Sequence, residues 1–250
     1  MGDPAKSLLV CNTFHGNAHY CDPLVGLLDR LWPGHPEVWF VTDGGRIRHP
    51  NTIATPTAKT WTEVAYRGLL EIFRRVRMPP RVYWVHEDLM PIHPCVFEDF
   101  ARIEAAAEKR DLNCVVFPTY PVPWAPEHTV EFDGFRFFKV YDGLCPYSQN
   151  QAGTWKSAHL LATCEHAIQT GKLRPWEFEG IKIADGHYIS DRPWPTAYHG
   201  FFHNRLVNRK AISRVKWPEG REVSSLLLRR FLSEVPCRVR RRFQRPPVSV

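Results

Sequence analysis

The sequence predicts an α/β fold in which helices flank a mainly parallel sheet. Short apolar runs of β-branched and aromatic residues, such as residues 82–85, are typical of buried strands in a parallel sheet. Segments with apolar residues at helical spacing alternate with these runs along much of the chain. The 250 residues are enough for one large domain of this kind.

The first βαβ unit is predicted near the start of the chain. We expect a strand over residues 7–11, a helix over residues 22–32 with Asp22 as its N-cap, and a second strand over residues 38–42. The Pro-Gly pair at residues 33–34 ends the helix.

The remaining elements are predicted from periodicity, capping residues and turn chemistry. They are a helix capped by Thr60 or Thr62, a strand over 82–85, helices over 94–110 and 157–169, a strand over 113–117, a hairpin over 132–140, a short helix near Pro175, short strands within 181–189 and 197–207, and a helix over 222–232. Residues 46–58 and the proline-bearing residues 118–130 are expected to be irregular. We assign residues 1–220 to one domain and residues 221–250 to a C-terminal helix and basic tail.

The charge of the chain is concentrated in its tail. The formal net charge is +7, and seven arginines fall between residues 229 and 245. Without them the body is nearly balanced, so we expect no nucleic acid partner, although a tail-driven nucleic-acid binder would show a steep loss of affinity with salt. A basic amphipathic end could contact an anionic membrane peripherally, and a solvated tail is the alternative.

The seven cysteines are odd in number and form no CxxC pair, which predicts reduced thiols in a cytoplasmic protein. The apolar run at residues 8–11 is too short for a signal peptide or a membrane span. Cys11, His15, His19 and Cys21 lie close together in the sequence, but their spacing fits none of the usual zinc patterns.

Two adjacent acids, Glu87 and Asp88, follow the strand at residues 82–85. Open α/β sheets bind their ligands at the carboxyl ends of the strands. Two carboxylates there could hold a hard divalent cation that shares the phosphates of a substrate. An acidic turn without a metal is the alternative.

A second acidic pair lies beside aromatic residues at positions 175–179. Glu177 and Glu179 alternate there with Trp176 and Phe178. A carboxylate against a Trp can serve as a general base, whereas acids in the first turn of a helix can simply favour its dipole. Residues two apart on a helix diverge by about 200°, so only one of the glutamates can face a pocket.

A loop at residues 199–205 joins two histidines, a glycine and an arginine. Such a loop could contact a diphosphate or a metal, and a hairpin with aromatic packing is the alternative. The chain has no P-loop, GxGxxG or GxSxG motif.

Several of these segments together resemble a group of small bacterial and viral GT-A-type glycosyltransferases. The resemblance spans most of residues 7–217 and is carried by residues 9–14, 23–24, 27–28, 31–36, 40–43, 61–90, 147–155, 160–161 and 173–179. Its most specific match is the Trp-x-Phe-Glu signature at residues 176–179. The group's DxD-like motif stands here as His86-Glu87-Asp88, and residues 147–155 resemble its acceptor-side segment.

The resemblance implies a single GT-A-like domain that transfers a sugar from a UDP-, GDP- or dTDP-sugar to a hydroxyl of a glycan or glycolipid. It further implies an inverting reaction with Mn²⁺ or Mg²⁺ on the diphosphate and Glu179, or Glu177, as the base. The implied nucleotide-sugar-binding residues are Thr13, Phe14, Thr60, Trp61, Glu87, Asp88, Trp155, Trp176 and His199, of which Glu87, Asp88 and His199 would hold the metal. A catalytically inactive nucleotide-sugar-binding protein on the same fold is the alternative.

Overall fold

The computed structural model describes residues 6–14, 17–44, 46–87, 89, 91, 97–119, 126–141, 152–178, 180–195, 202–203 and 206–207. The strands are β1 (Leu8–Asn12), β2 (Glu37–Thr42), β3 (Thr52–Ala54), β4 (Arg81–His86), β5 (Cys114–Val116), β6 (Thr129–Phe132), β7 (Phe135–Lys139), β8 (Gly153–Lys156), β9 (His187–Ser190), β10 (Phe202–His203) and β11 (Leu206–Val207). The helices are α1 (Cys21–Leu31), α2 (Trp61–Arg75), α3 (Phe97–Lys109), α4 (Ser157–Gln169) and α5 (Pro175–Phe178), and 3₁₀ turns lie at Ala18–Tyr20 and Pro126–His128.

Nine strands form one sheet in the order β3-β2-β1-β4-β8-β5-β9-β7-β6, and all but β7 and β8 run in the same direction. The predicted α/β fold with a mainly parallel central sheet is therefore confirmed. The chain moves outward from β1 to β3 and then returns to place β4 on the other side of β1. This reversal between β1 and β4 is a topological switch point, the place where open α/β sheets bind ligands.

Alternating side chains of the strands build a core on each face of the sheet. Leu9 and Cys11 of β1 belong to a core that includes residues of α1 and α3. Leu8 and Val10 belong to the opposite core, which includes residues of α2 and α4. Helices therefore cover both faces, as the near-continuous apolar strands require.

Helix α2 approaches β2 closely because one of its residues has no side chain. A Cβ at Gly68 would lie 2.8 Å from the Cβ of Val41 and would overlap its γ-methyl groups. The glycine is needed here for packing, not for its backbone freedom.

The start of α2 confirms Thr60 as a cap. The Thr60 side chain accepts a hydrogen bond of 3.3 Å from the backbone N–H of Glu63, and the Glu63 carboxylate accepts one of 2.7 Å from the backbone N–H of Lys59. The bond to Thr60 satisfies a donor that the first helical turn leaves unpaired, and the bond from Lys59 ties the residue before the cap to the helix. They fix the position of Trp61, the first residue of the helix.

Some predicted boundaries were wrong. Asp22 lies in the first turn of α1 and is not its N-cap, because the 3₁₀ turn before the helix places Tyr20 at that position. Strand β3 lies inside the predicted irregular residues 46–58, and β6 begins inside residues 118–130.

Strand β8, which lies between β4 and β5, was not predicted as a strand at all. The boundary at residues 220–221, the predicted helix over 222–232 and the basic tail lie outside the described residues.

Candidate functional site

The candidate site lies at the carboxyl ends of β1 and β4, on either side of the switch point. Asn12 is the last residue of β1 and pairs in register with His86, the last residue of β4. The segment after β1 and the turn after β4 therefore leave the sheet side by side.

A hydrogen bond between side chains ties these two segments together. The amide Nδ2 of Asn17 donates to the carboxylate Oε1 of Glu87 at 2.6 Å. Glu87 is only 6% exposed, so its carboxylate is largely withdrawn from water. A buried carboxylate is costly unless hydrogen bonds or a cation compensate its charge, so Glu87 is a candidate ligand for a cation.

Polar groups at the end of β1 are buried without a hydrogen-bond partner among the described residues. They are the amide nitrogen and oxygen of the Asn12 side chain and the hydroxyl of Thr13. Both side chains are 0% exposed, and the backbone N–H of Thr13 donates to the carbonyl of Val41 at 2.9 Å. Leaving such groups unpaired costs about 1–3 kcal/mol each, so these side chains have an unused capacity to bind a polar ligand.

An aromatic wall borders the site on the α2 face of the sheet. The ring of Trp61 lies 5.5 Å from that of His86 and 5.4 Å from that of Phe178, measured between centroids. Phe14 is half-buried against the same core, and Thr60 caps the helix that presents Trp61. Trp61 is only 5% exposed and Phe178 is fully buried, so these rings belong to the core beside the site and present little surface to a base or a sugar.

Helix α5 is attached to the start of α2, and this brings Phe178 to Trp61. The hydroxyl of Thr62 donates to the carbonyl of Lys172 at 2.9 Å, just before α5. Phe178 is fully buried.

Within α5, the carboxylate of Glu177 has a structural partner. Its Oε2 accepts hydrogen bonds from the backbone N–H groups of Leu173 at 2.9 Å and Arg174 at 3.0 Å. With Pro175 as the first helical residue, Glu177 is the third, the position from which a glutamate reaches back to cap a helix.

The other predicted site residues are distributed differently. Trp155 is fully buried in β8, where its ring lies 6.4 Å from that of Phe178 and is part of the core. Asp88, Glu179 and His199 lie outside the described residues, as does the side chain of Trp176. The structure therefore places Thr13 and Phe14 just after β1 and Glu87 just after β4, at the switch point, and it places the ring of Trp61 against that of His86, the last residue of β4. Thr60 caps the helix that begins at Trp61.

Asn12 and Asn17 were not predicted as site residues. An asparagine after a strand has the same sequence signature as a turn former, and only the register with β4 shows that Asn12 is buried.

The described residues contain no group of three or more His, Cys, Asp or Glu side chains that could hold a metal ion. Of the residues predicted to hold the divalent cation, the described part includes Glu87 alone. Cys11 and Cys21 are buried and form no disulfide within the described residues, whereas His15 and the side chain of His19 lie outside them.

No helix in the described part of the chain combines the length and the apolar character that a membrane span requires. No protein-family model matches the chain, and no curated protein matches it significantly. Among solved structures, the chain matches 2-C-methyl-D-erythritol 4-phosphate cytidylyltransferase from Thermus thermophilus at 15% identity and a TM-score of 0.41, over 72% of this chain and 80% of that chain.

Proposed function

We propose that this protein is a glycosyltransferase that moves a sugar from a nucleotide-diphosphate sugar to a hydroxyl group of a glycan or glycolipid. The observation that carries the proposal is the group of buried polar atoms of Asn12 and Thr13 that find no hydrogen-bond partner among the described residues, close in the fold to the buried carboxylate of Glu87. They lie at the switch point of the sheet, where α/β proteins bind nucleotides. The resemblance at residues 173–179 supports sugar transfer as the reaction.

The described residues would act mainly by binding and orienting the donor. Asn12 offers both a donor and an acceptor, and Thr13 offers a hydroxyl, so together they can hydrogen-bond a base or ribose. Trp61, which is buried, would support the residues around the nucleotide. Glu87 would face the diphosphate, together with Asp88.

Mn²⁺ or Mg²⁺ fits the donor type present. Both ions prefer carboxylate oxygens, and Glu87 is a buried carboxylate whose orientation is fixed by the amide of Asn17. Asp88 and His199 would complete the ligands. When bound, the ion would stabilise the negative charge that develops on the leaving diphosphate.

Glu179 would be the general base that takes the proton from the acceptor hydroxyl. An inverting transfer needs one carboxylate on the face opposite the leaving group. The carboxylate of Glu177 already accepts two backbone hydrogen bonds, which leaves Glu179 as the member of the pair for this role.

A catalytically silent nucleotide-sugar-binding protein is the second candidate. The capping role of Glu177 favours it, because it removes one of the two carboxylates that could act as a base. Nucleotide-sugar binding without product formation would identify this alternative.

The test is a thermal-shift screen of UDP-, GDP- and dTDP-sugars with and without Mn²⁺. A ligand at a hundred times its Kd stabilises the folded state by about 2.7 kcal/mol, so a true donor should raise the Tm clearly. Calorimetry should then show that Asp88→Ala loses Mn²⁺-dependent binding, whereas Asp29→Ala, which removes a carboxylate 64% exposed on α1, does not. Equal binding by Asp88→Ala and the parent would refute the metal assignment.

A further inference from the structure

The turn after β4 is held by a tryptophan that lies 105 positions away in the sequence. The indole Nε1 of Trp194 donates a buried hydrogen bond of 2.6 Å to the carbonyl oxygen of Leu89. The backbone N–H of Leu89 in turn donates to the carbonyl of His86 at 3.1 Å. Because Glu87 lies between His86 and Leu89, these bonds fix the backbone that carries its carboxylate.

Trp194 is itself held rigidly. Its indole stacks on the ring of Phe100 with centroids 5.6 Å apart and planes 3° from parallel, and the rings of Trp32 and Phe97 meet it edge-on at 6.3 Å each. The residue is 2% exposed. Its N–H therefore cannot point elsewhere without disrupting this aromatic cluster.

The path of the chain explains how Trp194 reaches the turn. Strand β9 lies beyond β8 and β5 from β4, and the segment after β9 crosses back over the carboxyl end of β5. The backbone N–H of Trp194 donates to the carbonyl of Pro118, two residues after β5, at 3.1 Å. Two hydrogen bonds thus hold the turn after β4. The indole of Trp194 bonds the backbone carbonyl of Leu89, and the amide of Asn17 bonds the side chain of Glu87.

We propose that Trp194 is a positioning residue whose indole N–H holds the turn of Glu87 in the geometry that binds the metal and the diphosphate. The consequence for binding rests on the proposed function, whereas the restraint on the turn does not. Removing a partner that orients a ligand residue costs about ten- to a hundredfold in metal affinity or activity. We expect a loss of that size when the indole N–H is removed.

The test compares Trp194→Phe with Trp39→Phe. Both changes replace a buried indole by a phenyl ring, but the N–H of Trp39 has no hydrogen-bond partner within the described residues. Hydrogen–deuterium exchange of peptides covering residues 86–91 measures the restraint on the turn. Calorimetry of Mn²⁺ with UDP and with GDP, well below the Tm of each variant, measures the consequence for binding.

We expect faster exchange at residues 86–91 and at least tenfold weaker Mn²⁺-nucleotide binding for Trp194→Phe, with Trp39→Phe close to the parent in both. Exchange at residues 86–91 that equals that of Trp39→Phe would show that Trp194 does not hold the turn. Faster exchange with unchanged affinity would overturn the positioning role. If the parent binds neither nucleotide and no dTDP-sugar either, the proposed function fails, and the exchange data alone decide whether Trp194 holds the turn.

Discussion

At the residue scale, the hydrogen bonds of a side chain decide which of two nearby glutamates could act as a base. Glu177 and Glu179 are two positions apart in one signature, yet Glu177 is committed to capping α5. The position of Pro175 could have indicated this from the sequence, since a proline at the first helical position makes Glu177 the third residue. A role for Glu179 rests on the signature itself.

The two glutamates should therefore respond differently to loss of charge. Glu179→Gln should keep donor binding but lower the turnover number about a hundredfold or more, as expected for a lost general base. Glu177→Gln should instead lower the free energy of unfolding by about 0.5–1.5 kcal/mol, since its hydrogen bonds to backbone N–H groups weaken, and leave turnover nearly unchanged.

Product formation at saturating donor and urea unfolding of both variants are the measurements. A dead Glu177→Gln with a near-normal Glu179→Gln would reverse the two roles. Full activity in both would make the signature structural.

The residues that the sequence could not reveal are those defined by distant contacts. Asn12 is identified as a site residue only through its pairing with β4 in the sheet. Trp194 is identified as a positioning residue only through its hydrogen bond to Leu89. Glu87 was proposed from its place after the apolar run at residues 82–85, near where α/β proteins place their ligands, whereas Thr13 was proposed only from the resemblance.

At the scale of elements, strands that read as uninterrupted apolar runs were the most predictable. Strands β1, β2 and β4 are buried on both faces and read as continuous apolar runs. Strand β3 has three residues and β8 has four, too few for a period to show. β8 also contains Gly153 and Thr154, and its place between β4 and β5 depends on pairings that are distant in sequence.

The packing of α2 on β2 gives a prediction for two glycines in helices. Gly68→Ala should lower the free energy of unfolding by about 1–3 kcal/mol, because its Cβ would overlap Val41 and outweigh the helix propensity that alanine adds. Gly26→Ala on α1 is the matched control, since a Cβ there meets no atom within 4 Å. It should stabilise the protein by about 0.5–1 kcal/mol.

Urea unfolding of both variants decides the matter. Stabilisation by Gly68→Ala similar to that by Gly26→Ala would mean that α2 and β2 can separate without cost.

At the scale of the whole molecule, buried polar groups lie at both ends of the parallel strands. The candidate site lies at the carboxyl ends of β1 and β4, where some buried polar atoms have no hydrogen-bond partner within the described residues. At the amino end of β4, the buried guanidinium of Arg81 donates hydrogen bonds to the carbonyl of Leu112 at 2.6 Å and to that of Thr154 at 3.0 Å. Arg81 thereby ties β4 to β8 and to the segment before β5, which stabilises the amino ends of the parallel strands.

A pair of histidines at the same ends of the strands makes the free energy of unfolding depend on pH. The Nε2 atoms of His159 in α4 and His187 in β9 lie 2.7 Å apart, so one ring donates an N–H hydrogen bond to the other. Burial lowers the pKa of His187 to about 3, aided by His159 and Lys182 and opposed by Asp185. Burial, with Lys156 and Arg81, lowers the pKa of His159 to about 4.

The folded protein should consequently lose stability in acid before its carboxylates titrate. In the unfolded chain both histidines take up protons near pH 6.5, whereas the folded state resists protonation until about pH 4 to 3. The stabilisation by the neutral pair is therefore complete above about pH 6.5 and declines as the pH falls towards the folded pKa values. His187, which is 1% exposed, should contribute a slope of up to about 1.4 kcal/mol per pH unit between roughly pH 6 and pH 4.

Urea unfolding between pH 7 and about pH 4.5 measures this slope. His187→Leu removes the titrating group and should flatten the dependence, even if its stability at pH 7 is lower. His166→Gln is the control, because it removes an exposed histidine from the same helix as His159 and should leave the slope of the parent unchanged. If His187→Leu keeps the full slope of the parent, the acid sensitivity arises elsewhere, and the pair contributes only its hydrogen bond to the packing of α4 on β9.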